Sequence, residues 1–168
     1  MTWDAYNRRK SALRDVLELA DRRRTTDVAD LIDSVPAARE AFADDAELLR
    51  EVQMAWYQRL SGTLDRGVLE GDSPALVAVT AWVAAAAQMP GARTLLDAHL
   101  DHPGLDVALA KERVLLATSA GISAYHPDLD GEGARLVEQA RDQAVYPEVV
   151  AEDESRGLIA RLRNALAA

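Results

Sequence analysis

The sequence predicts an all-α fold: a single-domain multi-helix bundle built around a central apolar helix at about residues 74–89. Between Ala75 and Ala87 only Thr80 has a polar side chain, and a helix that is apolar on every side must be enclosed by protein or lipid. The run is shorter than the ~20 residues that a bilayer core requires, so we expect the rest of the chain to enclose it. No stretch shows the β-branched alternation of a strand, and 168 residues fit one domain.

Amphipathic helices are predicted before this central helix. Their starts are expected at Thr2 or Asp4, at Thr26 or Asp27, at Pro36, and at Asp44 or Asp45. The last of these is the longest, and the pair Ser61-Gly62 is expected to bend it because Gly weakens a helix interior. Gly71 is placed to end the long helix, and Ser73-Pro74 is placed to begin the central one.

Shorter helices are predicted after the central one, which Met89-Pro90-Gly91 interrupts. Their expected spans are 92–100, 105–122, 134–144 and 152–167, with a loop over 125–133. The last span is amphipathic, with Leu158, Ile159, Leu162 and Leu166 on one face. We therefore expect a peripheral C-terminal helix that either docks on the bundle or presents its apolar face to a partner.

Charge and composition disfavour several classes of function. The formal net charge of −9 comes from 28 acidic and 19 basic residues, and a field of this sign repels nucleic acids and anionic membranes. Cys is absent, which excludes a disulfide framework and a thiolate metal site. The first residues lack the apolar segment of a signal peptide, so a cytoplasmic location is expected.

Residues 25–42 have the pattern of a helix-turn-helix. The run 24–31 followed by Val35, Phe42 and Leu48-Leu49 loosely resembles the DNA-binding end of TetR-type repressors. In that family a long helix of an all-α ligand-binding domain follows, so the resemblance implies a small-molecule-binding helical regulator. The chain departs from the family by having Asp33-Ser34 in the turn. It also has two basic against eight acidic residues between Thr25 and Glu51, so nucleic acid is not a favoured partner.

Two clusters contain residue types that bind metals. Asp128, Asp130 and Glu132 resemble the start of an EF-hand calcium loop, but Gln139 occupies the twelfth position, where a bidentate Glu closes such a site. The favoured interpretation is a polar turn before a helix. A second cluster lies near a predicted helix end and consists of Asp97, His99, Asp101 and His102. Histidines in a last turn more often bind terminal carbonyl groups, so we predict no metal site and no cofactor.

Catalytic motifs are missing from the sequence. The segment 121–125 contains a serine but is not a nucleophile elbow, and no phosphate-binding loop or dinucleotide fingerprint occurs. We therefore predict no catalytic residues, and a non-catalytic protein is favoured over an enzyme.

Two functions remain. The first is a non-catalytic protein-interaction or regulatory domain that binds a protein partner or associates with itself as a homodimer. The alternative is a small-molecule-binding helical regulator whose pocket is lined by Trp56, Tyr57 and Trp82, although aromatic residues at helical spacing also fit an ordinary core. An enclosed cavity against Trp82 would favour a ligand. A closed core with an exposed apolar patch would favour a partner.

Overall fold

A computed structural model describes residues 3–70 and 73–144, except for the side chains of residues 68–70. Within these ranges the chain is all-helical and contains no strand, which confirms the predicted fold class. The helices are α1 (Trp3–Arg23), α2 (Val28–Ser34), α3 (Pro36–Ala41), α4 (Asp45–Glu70), α5 (Pro74–Gln88), α6 (Pro90–Asp97), α7 (Asp106–Ser119) and α8 (Leu129–Gln143).

Helix starts follow the predicted capping residues. The Asp27 carboxylate caps α2 by accepting a hydrogen bond from the Asp30 amide at 3.0 Å. Ser73 is the residue before α5 and Pro74 is its first residue, as predicted, but the Ser73 side chain makes no capping hydrogen bond. The longest helix, α4, runs through Ser61-Gly62 as one continuous helix. Gly71, the predicted end of α4, lies outside the described residues, as does the predicted helix over 152–167.

The apolar helix α5 packs against α4, α7 and α8. Its buried side chains are Val77, Ala78, Val79, Ala81, Trp82, Ala85 and Ala86. The small alanine side chains let neighbouring helices approach closely, and this explains how one helix can be covered on several sides. The apolar run therefore lies at the centre of the bundle, but the expectation that it is enclosed on every side is wrong, because Ala75, Leu76, Thr80 and Ala87 are exposed.

In the described residues, no single helix has both the length and the apolar character needed to cross a bilayer. Only α5 and α6 taken together reach that length and composition, and these two helices meet at an angle of 105°.

Two predicted helix ends are three residues too late, since α6 ends at Asp97 and α7 at Ser119 instead of residues 100 and 122. Two predicted helix starts are also wrong. α6 begins at Pro90 instead of residue 92, because Pro suits the first turn of a helix as well as it interrupts the preceding one. α8 begins at Leu129, so the loop predicted over 125–133 ends early. Asp128 caps α8 by accepting a hydrogen bond from the Gly131 amide at 3.2 Å. Gly133 then lies inside α8. A Cβ there would be 2.0 Å from the carbonyl oxygen of Arg113 on α7, so glycine permits the close approach of the two helices.

Candidate functional site

Helix α4 packs against both α1 and α7, and an open groove runs along each junction. The groove between α4 and α7 consists of two adjoining cavities of about 440 and 530 Å³, which share Tyr57, Val107 and Lys111. The groove between α1 and α4 has a cavity of about 500 Å³ and meets the first groove at Met54. We call the surface formed by both grooves the α4 face.

Apolar side chains are exposed on the α4 face. Val107 is 71% exposed, Met54 55% and Val114 38%. All three line the grooves, with the aromatic ring of Tyr57 between them. Contiguous exposed apolar surface of this kind is typical of sites where a protein binds a partner.

The sequence of α7 explains why these side chains face outward. The buried positions Leu105, Leu109, Glu112 and Leu116 recur every three or four residues and face the core. Val107, Lys111, Val114 and Thr118 recur with the same spacing on another side of the helix and line the groove. α7 therefore buries leucines as an ordinary amphipathic helix does, but it departs from that pattern by also burying the Glu112 carboxylate and exposing two valines.

Basic side chains surround the α4 face. The cavities described above are lined by Arg9, Lys10, Arg14, Arg50 and Lys111, against the single acidic residue Glu51. Lys10 and Lys111 are also the only two lysines in the sequence. Within the described ranges Lys10, Arg50 and Lys111 form no ion pair. Arg9 and Arg14 are paired, with Glu47 and Glu51 and with Asp15. In a chain with a net charge of −9, the cationic character of this surface therefore comes from Lys10, Arg50 and Lys111.

One of the two paired cations, Arg9, holds α1 against α4. Its guanidinium lies 2.7 Å from Glu47 and 2.8 Å from Glu51, and it donates a hydrogen bond to the Ala41 carbonyl at 2.9 Å. The backbone amide of Ala43, together with Arg9, lowers the pKa of Glu47. Burial of Arg9 opposes its charge, but the hydrogen bonds that it donates to Glu47 and Glu51, with the attraction of the two carboxylates, prevail and raise the pKa of Arg9. Arg9 is thus a structural residue.

Gln53 forms part of the floor of the groove between α4 and α7. Only 1% of this residue is exposed, and its Nε2 donates a hydrogen bond to Glu112 Oε2 at 2.8 Å. Because an ionised carboxylate only accepts hydrogen bonds, this contact fixes the orientation of the amide. Gln53 Oε1 has no hydrogen-bond partner among the described residues.

Glu112 is the centre of a buried polar cluster beneath the groove. Its Oε1 accepts a hydrogen bond from Trp82 Nε1 at 3.0 Å and lies 3.6 Å from Arg93 Nη1. The Arg93 guanidinium is fully buried and lies 4.8 Å from the centre of the Trp56 ring. The cluster thus joins one or more residues from each of the helices α4, α5, α6 and α7.

The buried cluster extends to α8 through Asp97. This carboxylate lies 2.9 Å from Arg93 Nη2 and accepts a hydrogen bond from Arg141 on α8 at 2.7 Å. The guanidinium nitrogens of Arg93 nevertheless have no well-directed hydrogen bond to a described residue. Arg93 is therefore held by charge and by ring contacts, and the cluster fixes the spacing of the helices instead of presenting a reactive group to solvent.

The structure places the three aromatic residues of the predicted ligand pocket in two environments. Trp56 and Trp82 are fully buried and contact each other edge to face, with ring centres 5.4 Å apart. Neither lines any of the cavities described above, whereas Tyr57 lines both cavities of the groove between α4 and α7. Tyr57 is thus the one predicted site residue that lies in this groove.

The acidic cluster at the start of α8 is engaged by arginines. Arg113 donates a hydrogen bond to Asp130 at 2.7 Å, and Arg135 forms ion pairs with Asp128 and Glu132. These contacts match the favoured interpretation of a polar helix start. Within residues 3–70 and 73–144, no group of three or more His, Asp or Glu side chains is placed to hold a metal ion.

The two histidines of the second cluster bind backbone groups. His99 Nδ1 lies 2.8 Å from the Leu95 carbonyl, and His102 Nδ1 accepts a hydrogen bond from the Gly104 amide at 3.1 Å.

In the segment that resembles a helix-turn-helix, only Val35 separates α2 from α3. Arg39, the basic residue of α3, forms an ion pair with Asp33 at 2.9 Å.

Sequence reasoning missed Gln53, Arg93 and Glu112. Glu112 has a detectable pattern, because it continues the spacing of Leu105, Leu109 and Leu116. No such pattern identifies Arg93, which becomes buried only through the turn between α5 and α6.

Comparisons of the chain with protein families, with curated proteins and with solved structures found no match.

Proposed function

We propose that the protein is a non-catalytic interaction domain that binds a protein partner along the α4 face. The observation that carries this proposal is the exposure of Val107, Met54 and Val114 along one continuous pair of grooves. Covering these side chains would remove apolar surface from water, which is the main favourable term in protein association. Tyr57 adds an aromatic group of the kind that often dominates binding energy.

The closed core beneath the α4 face favours a protein partner over a small molecule enclosed within the bundle. Trp56 of α4 and Trp82 of α5 are fully buried and pack directly on each other. The cavities of the α4 face are open grooves, whereas a small ligand is usually buried over about 70–90% of its surface. A groove between two helices instead suits an elongated protein segment.

Binding of a small molecule in the groove is the second candidate function. The observation in its favour is the Oε1 atom of Gln53, a buried acceptor without a described partner at the floor of a cavity of about 440 Å³. A ligand with a donor group would satisfy this atom. Ligands that co-purify with the protein from its own cells would raise its Tm, and Gln53→Leu would remove the rise.

Site-specific photocrosslinking in the native host tests the proposed interaction. A photoreactive amino acid replaces Val107 in one strain, Met54 in a second and Tyr125 in a third. Tyr125 is 96% exposed and lines none of the cavities of the α4 face, so it is the matched control. We expect the same covalent adduct from positions 107 and 54 and not from position 125.

A second substitution separates a specific adduct from a chance collision. Val107→Glu, combined with the photoreactive group at position 54, should abolish the adduct while the Tm stays unchanged, because Val107 is exposed. The purified partner should then bind the wild-type chain and not the Val107→Glu variant. Equal adducts from all three positions, or an adduct that survives Val107→Glu, would overturn the proposal.

A further inference from the structure

We infer that the partner presents an acidic amphipathic helix, which lies in the groove between α4 and α7 and places its carboxylates beside Arg50 and Lys111. This inference rests on the proposed function and names the chemistry of the partner. It depends on the shape of the groove, on its apolar lining and on the sign of its charge.

The shape of the groove matches a helix of at least three turns. The exposed stripe on α7 runs from Val107 to Thr118, which corresponds to about 16 Å at ~1.5 Å per residue. Met54 and Tyr57 on α4 form the opposite wall. A helix with apolar residues at positions i, i+3 or i+4 and i+7 would place them between these walls.

The charge of the groove selects an acidic partner. Arg50 and Lys111 line the groove without an ion-pair partner among the described residues, and they lie on opposite walls. Lys10 adds a further unpaired cation on the neighbouring groove. Because the whole chain has a net charge of −9, this face is where an acidic segment meets attraction instead of repulsion.

The same cations could attract phosphate groups, but the apolar lining favours a protein helix. Val107 and Val114 on α7 offer a phosphate no hydrogen bond, whereas the leucine-type side chains of an amphipathic helix would cover them. The overall negative charge also opposes a long polyanion. Binding of DNA is therefore an outcome that the experiment must distinguish.

A peptide selection tests the inference without knowledge of the natural partner. The probe is a phage-displayed library of helix-forming peptides about 16 residues long, selected on the immobilised full-length chain and counter-selected on the Val107→Glu variant. We expect the enriched peptides to combine an apolar stripe with net negative charge. Enriched peptides that are neutral or basic would overturn the inference.

Charge-reversal variants then test whether the carboxylates of the peptide lie beside Arg50 and Lys111. An enriched acidic peptide, labelled with fluorescein, should lose about tenfold or more in affinity for the double variant Arg50→Glu/Lys111→Glu. A peptide with its acidic residues changed to Lys should bind that double variant better than it binds the wild type. Arg22→Glu is the matched control, because Arg22 is an exposed cation on α1 that lies outside the α4 face.

The outcomes separate this inference from the proposed function. If Arg22→Glu weakens binding as much as the double variant does, the inference is overturned and the interaction face still stands. If no peptide prefers the wild type over Val107→Glu and no crosslinked partner is found, the proposed function itself fails. If mixed DNA binds in a salt-sensitive way and Lys111→Glu abolishes this binding, the occupant of the groove is a polyanion instead of an acidic helix. If light scattering shows a dimer that Val107→Glu dissociates, the occupant is a second copy of this chain.

Discussion

The indole Nε1 of Trp82 donates a hydrogen bond to Glu112 Oε1 at 3.0 Å, and both side chains are buried. This contact gives the apolar helix α5 one directional interaction with α7. The other oxygen of the same carboxylate accepts a hydrogen bond from Gln53 at the floor of the groove between α4 and α7. One carboxylate therefore sets the position of the central helix and of the groove wall.

Glu112→Ala should destabilise the protein by about 3–5 kcal/mol, because it removes the buried one of the two carboxylates beside the fully buried Arg93 and leaves only the partly exposed Asp97. It also leaves the donors of Trp82 and Gln53 without an acceptor. The free energy of unfolding from urea denaturation measures the effect. The control is Glu138→Ala on the exposed side of α8, which should change stability by less than about 0.5 kcal/mol.

A double-mutant cycle checks that Arg93 causes the loss. Once Glu112 is gone, Arg93 keeps only Asp97 as a charged partner, and removing the guanidinium also removes this poorly compensated charge, so the two substitutions should be non-additive. If Glu112→Ala and Arg93→Met add independently, the buried ion pair has no role in stability. A loss for Glu112→Ala no larger than that for Glu138→Ala would contradict the prediction outright.

The fold class was readable from sequence, but this cluster was not. Helix α5 was identifiable because a run with a single polar side chain between Ala75 and Ala87 must bury most of its surface in a folded domain. The sequence did not show that Leu76 in this run is 51% exposed. Glu112 stands between Lys111 and Arg113, and such a charged triplet is typical of a solvated surface. Its burial depends on Trp82 and Arg93, which come from other helices, and a single sequence does not encode that proximity.

Val79→Asp should unfold the protein, because Val79 is 4% exposed in α5 and no described cation is paired with that position. The matched control is Leu76→Asp, three residues earlier on the same helix, where the side chain is 51% exposed. Far-UV circular dichroism during thermal denaturation distinguishes the two. If both variants fold with similar Tm values, the burial of α5 is wrong.

Gly91→Ala should strongly destabilise the packing of α6 on α1. A Cβ at this position would be 2.1 Å from the carbonyl carbon of Ala20, and backbone cannot move aside as a flexible side chain can. Overpacking typically costs about 1–3 kcal/mol. In addition, the Gly91 amide donates a hydrogen bond to Asp21 Oδ1 at 2.8 Å, which a displaced backbone would lose.

Gly62→Ala is the control with the opposite expected sign. Nothing lies within 4 Å of a Cβ at this position in α4, so alanine should stabilise the helix by roughly 0.5–1 kcal/mol. Urea denaturation of both variants should show stability changes of opposite sign. Equal changes for Gly62→Ala and Gly91→Ala would contradict the close approach of α1 and α6.

These two glycines also show what local sequence rules cannot supply. The rules assign Gly62 a bend and Gly91 an interruption, since glycine weakens a helix interior. In the structure Gly62 lies within the continuous helix α4, and Gly91 lies within α6 where two backbones meet. Whether a glycine loosens a helix or permits a contact depends on the helix opposite it, which is a tertiary property.

Asp21→Asn should become more stabilising, relative to the wild type, as the pH rises. Burial raises the pKa of Asp21, and this outweighs the opposing effects of the Gly91 amide and of Arg24. Because the folded-state pKa exceeds the unfolded value of 3.8, the folded state holds the proton longer. The cost of ionising Asp21 is therefore absent below that value and appears as the pH rises through the folded-state pKa.

Asparagine keeps an oxygen acceptor for the Gly91 amide and has no charge to bury. The difference in unfolding free energy between Asp21→Asn and the wild type, measured from about pH 4 to about pH 7, should therefore grow in favour of the variant. A difference that is constant over this range, or that grows in favour of the wild type, would show that burial does not govern Asp21.

Amine labelling provides a direct map of the α4 face, because Lys10 and Lys111 are the only two lysines of the sequence and lie in different grooves. Lys111 lines the groove between α4 and α7, and Lys10 lines the groove between α1 and α4. A bound acidic helix should therefore slow acetylation of Lys111 severalfold and leave Lys10 nearly unchanged, as measured by peptide mass spectrometry.

Protection of Lys10 alone would move the binding site to the groove between α1 and α4. Protection of Lys111 that persists in Val107→Glu would mean that charge attraction alone, without the apolar groove, holds the peptide.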